Sequence, residues 1–353
     1  MAIIHNIKIK NFRGIRNFEQ TFKKGLACII GRGDSGKTTI LDAMSIVLSP
    51  SWNLTFYDSD FYNCQINNAI EIEATLINLP DKLLEKFVFY LRGVKSDGSI
   101  VDDLESDEAV NIEAALSIKL TVTKELEPSW TVVSYRGQEP LPISAADRAK
   151  LNASIISDYS DRHFSLSKGN PLYTLYKLLI NEEENEENVF LEVLRDAKTS
   201  IDSHVSEKFK VVIGKVKEVS SNLGISTEGL IASIDHRDIS MKENKVCLHE
   251  TDIPLRLKGK GSKRLISLAI QIAVANPNGI ILIDEIELGL EPDRVQHLVN
   301  ILKMYADFQI FFTTHSGNVI VELSHESLYI MKKGSGSLLP VNANIQGCVR
   351  NNP

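Results

Sequence analysis

The sequence predicts an α/β fold with a mostly parallel sheet flanked by helices, and three observations predict it. An apolar strand, Leu26–Ile30, runs directly into a glycine-rich loop and an amphipathic helix. From Ser262 onward the pattern reads helix, strand, helix, strand, the order that lays parallel strands side by side. The strands Leu26–Ile30 and Ile280–Ile283 are apolar at every position, as strands covered on both faces are.

The 353 residues exceed one domain of roughly 100–200 residues, so two domains or one large domain with an insertion are expected. Hydrophobic residues make up 43% and charged residues 24%, which places the chain among globular proteins rather than disordered ones. No apolar run reaches the ~18 residues of a membrane span, and Met1 to Lys10 lacks the apolar core of a secretory signal. A net charge of −7 excludes a pervasively basic nucleic-acid coat but leaves room for a local patch. Cys28, Cys64, Cys247 and Cys348 are far apart and form no CxxC. That spacing argues for reduced thiols in a cytoplasmic protein, against zinc or a disulfide framework.

Taken in order, period-2 alternation from Ile3 to Lys10 followed by Asn11 and Gly14 predicts a strand and turn. The helix after Lys37 carries Ile40, Leu41, Met44, Val47 and Leu48 on one stripe and stops before Pro50. Strands are expected at 69–77, 111–123 and 130–134, with an exposed loop at 95–108 rich in Asp, Ser and Gly. Beyond residue 165 the pattern turns helical: 172–180, an acidic run from Glu182 to Glu187, and a long stretch at 189–223 closed by Gly224 and Gly229. A strand at 245–248 returns the chain to β structure.

The segment Gly31-Arg32-Gly33-Asp34-Ser35-Gly36-Lys37-Thr38 fits GxxxxGK[ST], with Thr39 next in the nucleotide-binding set, and it sits between the strand and helix the motif requires. Glycines let backbone N–H groups converge on a β-phosphate, and the helix N-terminus adds its positive dipole end. Lys37 is expected to reach the β- and γ-phosphates and the Thr38 hydroxyl to ligate Mg²⁺, so ATP and Mg²⁺ are the expected cofactors. The run Ile280–Ile283 ends in Asp284 and Glu285, which places two acids at the C-terminal edge of a buried strand, beside the loop of a neighbouring strand. Asp284 is suited to hold Mg²⁺ and Glu285 to polarise an attacking water.

Ser262 is a natural N-cap for the apolar helix at 265–275. Lys260, Lys263 and Arg264 in its first turn oppose the helix dipole, a placement that makes sense if an anion docks there. Gly259 and Gly261 would let that anion approach the backbone. His315 ends the strand that begins at Gln309, thirty residues after Glu285 with one helix (294–305) between. That spacing suits neighbouring parallel strands and lets His315 sense a γ-phosphate.

These elements, in this order, resemble the ABC-type P-loop ATPase heads of the SMC/RecF superfamily. The opening "IKIKNFRGIRNF…GLACIIGRGDSGKTTILDAMSIVL" looks like their N-terminal lobe. The resemblance implies a mostly parallel core sheet, an antiparallel β lobe and a helical insertion. It makes Gly31 to Thr38 the Walker A loop, Asp284-Glu285 Walker B, Gly259 to Arg264 the signature loop, Leu290-Glu291-Pro292-Asp293 the D-loop region with Asp293 near nucleotide, and His315 the switch histidine. It also implies a head-to-tail homodimer, or a higher homo-oligomer, with two ATP molecules sandwiched. Each Ser262 would then meet the other subunit's γ-phosphate, with Lys260, Gly261 and Lys263 beside it.

Within the superfamily, "DEIELGLEPDR" and "TTHSGNVI" are similar to the OLD family (overcoming-lysogenization-defect nucleases), which includes Gabija-type and retron-associated defence ATPases. The similarity covers 1–49 and about 254–332. Gly33 stands where many relatives carry Asn, Lys263 where transporter-type loops carry a second Gly, and Asp60 substitutes for an absent Q-loop glutamine as a metal ligand. The implied division is an N-terminal head part at 1–164, a helical dimerisation insertion at 165–240, a C-terminal head part at 241–345 and a linker at 346–353. The OLD family carries a TOPRIM nuclease domain after the ATPase; 346–353 would lead to it, removed from this chain or residing on a separate one. The leading expectation is an ATPase regulating such a nuclease in antiphage defence, with DNA as a partner and no membrane. The alternatives are a RecF/SMC-like repair ATPase that clamps DNA, with Lys208, Lys210, Lys215 and Lys217 as a basic strip, or a non-catalytic ATP-bound scaffold.

Overall fold

The computed structural model of the chain describes residues 2–102, 112–151, 153–156, 161–166, 170–179, 210–222, 247–275, 279–305 and 308–341. The chain divides into two compact units, Met1–Asp161 together with Leu255–Pro353, and Arg162–Pro254. In chain order the strands are β1 (Ile3–Phe12), β2 (Ile15–Thr21), β3 (Leu26–Ile30), β4 (Ile70–Ile77), β5 (Arg92–Val94), β6 (Ile100–Val101), β7 (Glu113–Val122), β8 (Pro128–Val133), β9 (Leu141–Pro142), β10 (Ala153–Ile156), β11 (His249–Glu250), β12 (Ile253–Pro254), β13 (Ile280–Ile283), β14 (Gln309–Thr314), β15 (Leu328–Ile330) and β16 (Leu339–Pro340). The α-helices are α1 (Lys37–Leu48), α2 (Asp81–Lys86), α3 (Ala145–Ala149), α4 (Pro171–Leu179), α5 (Lys210–Asn222), α6 (Lys260–Ala275), α7 (Pro292–Met304) and α8 (Gly317–Glu322).

Among the described residues, two sheets build the first unit. The larger is antiparallel, ordered β2-β1-β4-β7-β5-β6, with β8 on β7 and β9 on β8. The smaller is ordered β10-β13-β14-β3-β15-β16 and is parallel from β10 to β15. Parallel pairing is therefore confined to the six-stranded sheet, and more strands lie in the antiparallel one. The sequence suggested fewer of these strands because β5, β6 and β9 are two or three residues long, too short for a period to register, and β2, though seven residues long, has only Ile15 and Phe18 as apolar residues, three apart and so off the period of a strand.

Helix α1 lies between the sheets. Its Ile40, Leu41, Met44 and Val47 are fully buried with Ile7 and Ile9 of β1 and Ile72 and Ala74 of β4 on one side, and Ile29, Leu282 and Phe311 on the other. The opposite face of the parallel sheet presents Cys28, Ile281, Ile283, Ile310 and Phe312 to Val295 and Val299 of α7 and Val319 of α8. Successive residues of one strand thus serve different cores, which is why these strands are apolar without alternation. Burial also pushes the Cys28 thiol well above its usual pKa. Buried Gln309 ties the sheets together, accepting from Ile4 N–H at 2.8 Å and donating to the Ile4 carbonyl at 2.9 Å.

Strand β14 stands between β3 and β13. The acid-bearing strand is thus one strand removed from the phosphate-loop strand rather than beside it, while β13 and β14 are neighbours, as expected. The second unit contains α4, α5 and the β11–β12 hairpin. Helix α5 is the described part of the long helical stretch at 189–223. Glu182 to Glu187, Lys208, Gly224, Gly229, Cys348 and 346–353 lie outside the described residues. No helix among the described residues is long and apolar enough to cross a membrane.

Candidate functional site

The glycine-rich loop connects β3 to α1. Arg32, Gly33 and Asp34 are exposed on its rim, and Asp34 is held at φ 54°. Helix α1 starts on Gly36, whose φ of 103° suits glycine, and no side chain caps it. Its leading N–H groups, including those of Thr38 and Thr39, are therefore not taken by a capping residue. The Ser35 hydroxyl is buried with no hydrogen-bond partner. Lys37 is buried and curls back, its Nζ donating to the carbonyls of Gly31 and Arg32 at 3.0 Å each. Burial lowers its pKa, and Asp284, Glu285, Glu287 and Asp34 pull it back up. An uncapped helix start, an orphaned hydroxyl and an ammonium resting on its own loop fit a phosphate chain.

Thr38 Oγ1 donates to Asp284 Oδ1 at 3.3 Å, so the loop and the acids meet across 246 residues of sequence. The same Asp284 oxygen accepts from Thr313 Oγ1 at 2.5 Å. A hydroxyl and a carboxylate side by side are the hard oxygen donors that suit Mg²⁺. Glu285 has φ 45°, a left-handed conformation costing on the order of 1–2 kcal/mol for a non-glycine residue. Its backbone is held on both sides. The N–H donates to Thr313 Oγ1 at 2.8 Å, and the carbonyl accepts from Arg264 at 2.7 Å and from Leu288 N–H at 2.9 Å.

His315 is exposed just past β14. Its N–H donates to Glu287 Oε1 at 2.6 Å, and Thr314 Oγ1 donates to Glu287 Oε2 at 2.7 Å. Glu287, Thr313 and Thr314 were not among the residues singled out from sequence. Their signal was present, since polar residues closing an all-apolar strand need partners, and DEIE offers an acid beyond the usual pair.

The basic helix start differs from expectation in two respects. Helix α6 begins at Lys260, so Ser262 lies inside the first turn instead of capping it. Lys263 and Arg264 are buried, and their cations are used internally. Lys263 Nζ donates to the Arg256 carbonyl at 2.9 Å, and Arg264 donates to the carbonyls of Asp284 and Glu285 at 2.6 and 2.7 Å. Lys260 remains exposed, with Gly261 and Ser262 partly so. Gly261 is required by packing, since a Cβ there would come within 2.7 Å of the Gly289 carbonyl oxygen. Gly261→Ala is expected to destabilise the fold by about 1–3 kcal/mol, read as a lower denaturation midpoint at unchanged m-value.

Asp60 is committed elsewhere. It pairs with Arg13 at 2.9 Å and accepts from Tyr57 N–H at 3.0 Å, while Arg13 also pairs with Asp42. Asp42 senses Asp284 and Asp60, and its pKa is raised chiefly by burial, against Arg13. Asp60 is thus tied to Arg13 rather than to Thr38 and Asp284. Asp293, in the first turn of α7, lines a cavity of about 730 Å³ with Leu265, Ile272, Arg294 and His297.

A family model described as "AAA domain, putative AbiEii toxin, Type IV TA system" matches residues 26–322. The retron Vc95 probable ATPase of Vibrio cholerae serotype O1 biovar El Tor is 24% identical, over 94% of this chain and 73% of that protein. The DNA replication and repair protein RecF of Francisella tularensis subsp. mediasiatica is 23% identical, over 93% of this chain and 99% of that one. In fold, the chain is similar to the Smc head domain with an extended coiled coil derived from Pyrococcus furiosus, with TM-score 0.52, 14% identity and 99% of both chains covered. The chain therefore belongs to this AAA-domain family, and it is an ATPase whose α/β fold is that of an SMC/RecF-type ABC head.

Proposed function

We propose that the chain is a head that pairs head-to-tail with a second copy around two ATP molecules, and that this cycle regulates a TOPRIM-type nuclease of the OLD kind in antiphage defence. The observation that carries the reading is the contact of Thr38 with Asp284, which joins the phosphate loop to two acids at the end of β13. Lys37 would leave its own carbonyls for the β- and γ-phosphates, and the uncapped start of α1 would face the phosphate chain. Thr38 and Asp284 would hold Mg²⁺, which when bound neutralises developing phosphate charge. Glu285 would take a proton from the water whose oxygen bonds to the γ-phosphorus. The bond from that phosphorus to the β–γ bridging oxygen breaks, and its electron pair leaves with ADP. His315 would contact the γ-phosphate, and residues 165–240 would form the dimerisation insertion. Similarity to a retron ATPase supports the defence setting. The RecF match, spanning 99% of that protein, favours a second reading, a repair-type ATPase that clamps DNA with no nuclease.

Lys260, Gly261 and Ser262 lie on a separate helix start and would meet the nucleotide of the other copy. Mixing Lys37→Ala chains with Ser262→Arg chains tests this arrangement. Each variant alone should be inactive. A mixed dimer holds one site with both defects and one with neither, so it should recover up to half the activity of a wild-type dimer. No recovery, with subunit exchange demonstrated, rejects the head-to-tail dimer. ATP-dependent DNA retention with no nuclease partner would favour the second reading.

A further inference from the structure

The turn after Glu285 carries a third acid that the hydrolytic chemistry above does not use. Glu287 is partly buried, and both of its oxygens are engaged by the end of β14: Oε1 by His315 N–H at 2.6 Å and Oε2 by Thr314 Oγ1 at 2.7 Å. A charge-assisted bond of this length is among the stronger kinds a protein makes. The same turn is fixed at its start, where Ile286 N–H donates to the Thr313 carbonyl at 3.1 Å. Its far end, at Gly289, packs against Gly261 of the helix start that bears Ser262. Glu287 is therefore placed between the peptide of His315 and the segment that carries Glu285, within a turn that also touches α6.

We propose that Glu287 is a positioning residue for hydrolysis: its carboxylate pins the backbone of His315 to the turn that presents Glu285. The proposal rests on the roles given above to Glu285 and His315. The pin acts through two accepted hydrogen bonds, with no requirement for a negative charge on the reacting atoms. Glutamine can reproduce that geometry. Its oxygen accepts from His315 N–H, and its amide donates to Thr314 Oγ1, whose own proton turns away. Alanine removes both bonds and leaves the His315 N–H to water. The aspartate side chain is one methylene shorter and loses the reach.

The test compares Glu287→Ala with Glu287→Gln in the full chain, using two readouts. Hydrogen exchange followed by mass spectrometry on the peptide containing His315 reports the pin directly, with ATP absent. Exchange there should speed at least tenfold in Glu287→Ala and stay within twofold of wild type in Glu287→Gln. Steady-state hydrolysis reports the consequence. Glu287→Ala should lower kcat at least tenfold with ATP affinity by calorimetry within about twofold, and Glu287→Gln should keep at least half of kcat. Unchanged exchange in a folded Glu287→Ala protein overturns the pin, whatever the ATPase does. Altered exchange with unchanged kcat overturns the positioning role. A Glu287→Gln variant as inactive as Glu287→Ala assigns Glu287 a charge-dependent role and also overturns the proposal. If Glu285→Gln hydrolyses ATP like wild type, the reading of Glu285 fails instead, and the exchange result still judges the pin by itself.

Discussion

Glu285→Gln is expected to lower ATP turnover about a hundredfold or more while leaving ATP binding intact, since loss of a general base costs ~10²–10⁴ in rate. A hundredfold is ~2.7 kcal/mol of transition-state stabilisation. The structure makes this substitution an unusually clean probe. The backbone of Glu285 is fixed in its left-handed conformation by Thr313, Arg264 and Leu288, none of which touches the side chain through these bonds. Glutamine matches the size of glutamate and keeps an acceptor oxygen, so the change falls on the basicity of one group. An ATP-loaded dimer should accumulate, visible as a larger species by light scattering. Phosphate release at the wild-type rate would remove Glu285 from the mechanism.

Replacing Lys37 with alanine should weaken ATP binding roughly tenfold or more, because a charge-assisted hydrogen bond is worth ~1.5–3 kcal/mol. Two effects combine. The β- and γ-phosphates lose their ammonium, and the carbonyls of Gly31 and Arg32 lose their donor in the nucleotide-free protein. The second effect falls on the free state, so the apparent loss of affinity understates the lost contact. Calorimetric titration with the non-hydrolysable analogue separates binding from turnover. Unchanged affinity would sink the assignment of this loop to phosphate.

The parts of the site that could be read from sequence are those where chemistry and secondary structure coincide in one short stretch. The strand, loop and helix from Leu26 to Leu48 announce themselves, as does the apolar run ending in Asp284-Glu285. The residues that escaped act across the sheet. Thr313 earns its place from register alone: β13 and β14 pair Ile283 with Phe312, which sets the next residue of β14 beside Asp284. The cations of α6 misled for a related reason. A dipole argument sees three charges on a helix start, but Lys263 Nζ donates to the Arg256 carbonyl and Arg264 Nη2 to those of Asp284 and Glu285, distant or irregular in sequence. Asp60 stands in for an absent Q-loop glutamine by resemblance alone, and only the fold reveals its pairing with Arg13, from the first hairpin. The antiparallel sheet was partly visible through its long strands β1, β4 and β7, whereas β2 lacks the alternation of a strand and the short β5, β6 and β9 exist by virtue of neighbours.

Strand β3 has both of its partners, β14 and β15, at the far end of the chain. During synthesis, Leu26–Ile30 leaves the ribosome with neither edge covered. At ~5–20 residues per second, the 246 residues between Thr38 and Asp284 represent roughly 12–50 s of waiting before the acids appear. The antiparallel sheet, whose strands β1, β2 and β4 to β9 lie within the first 142 residues, can close early, but the nucleotide site must wait for β13 and β14. A nascent chain arrested before residue 280 should therefore hold a protease-resistant antiparallel lobe with an exposed β-prone segment, LACII, that invites chaperone capture or aggregation.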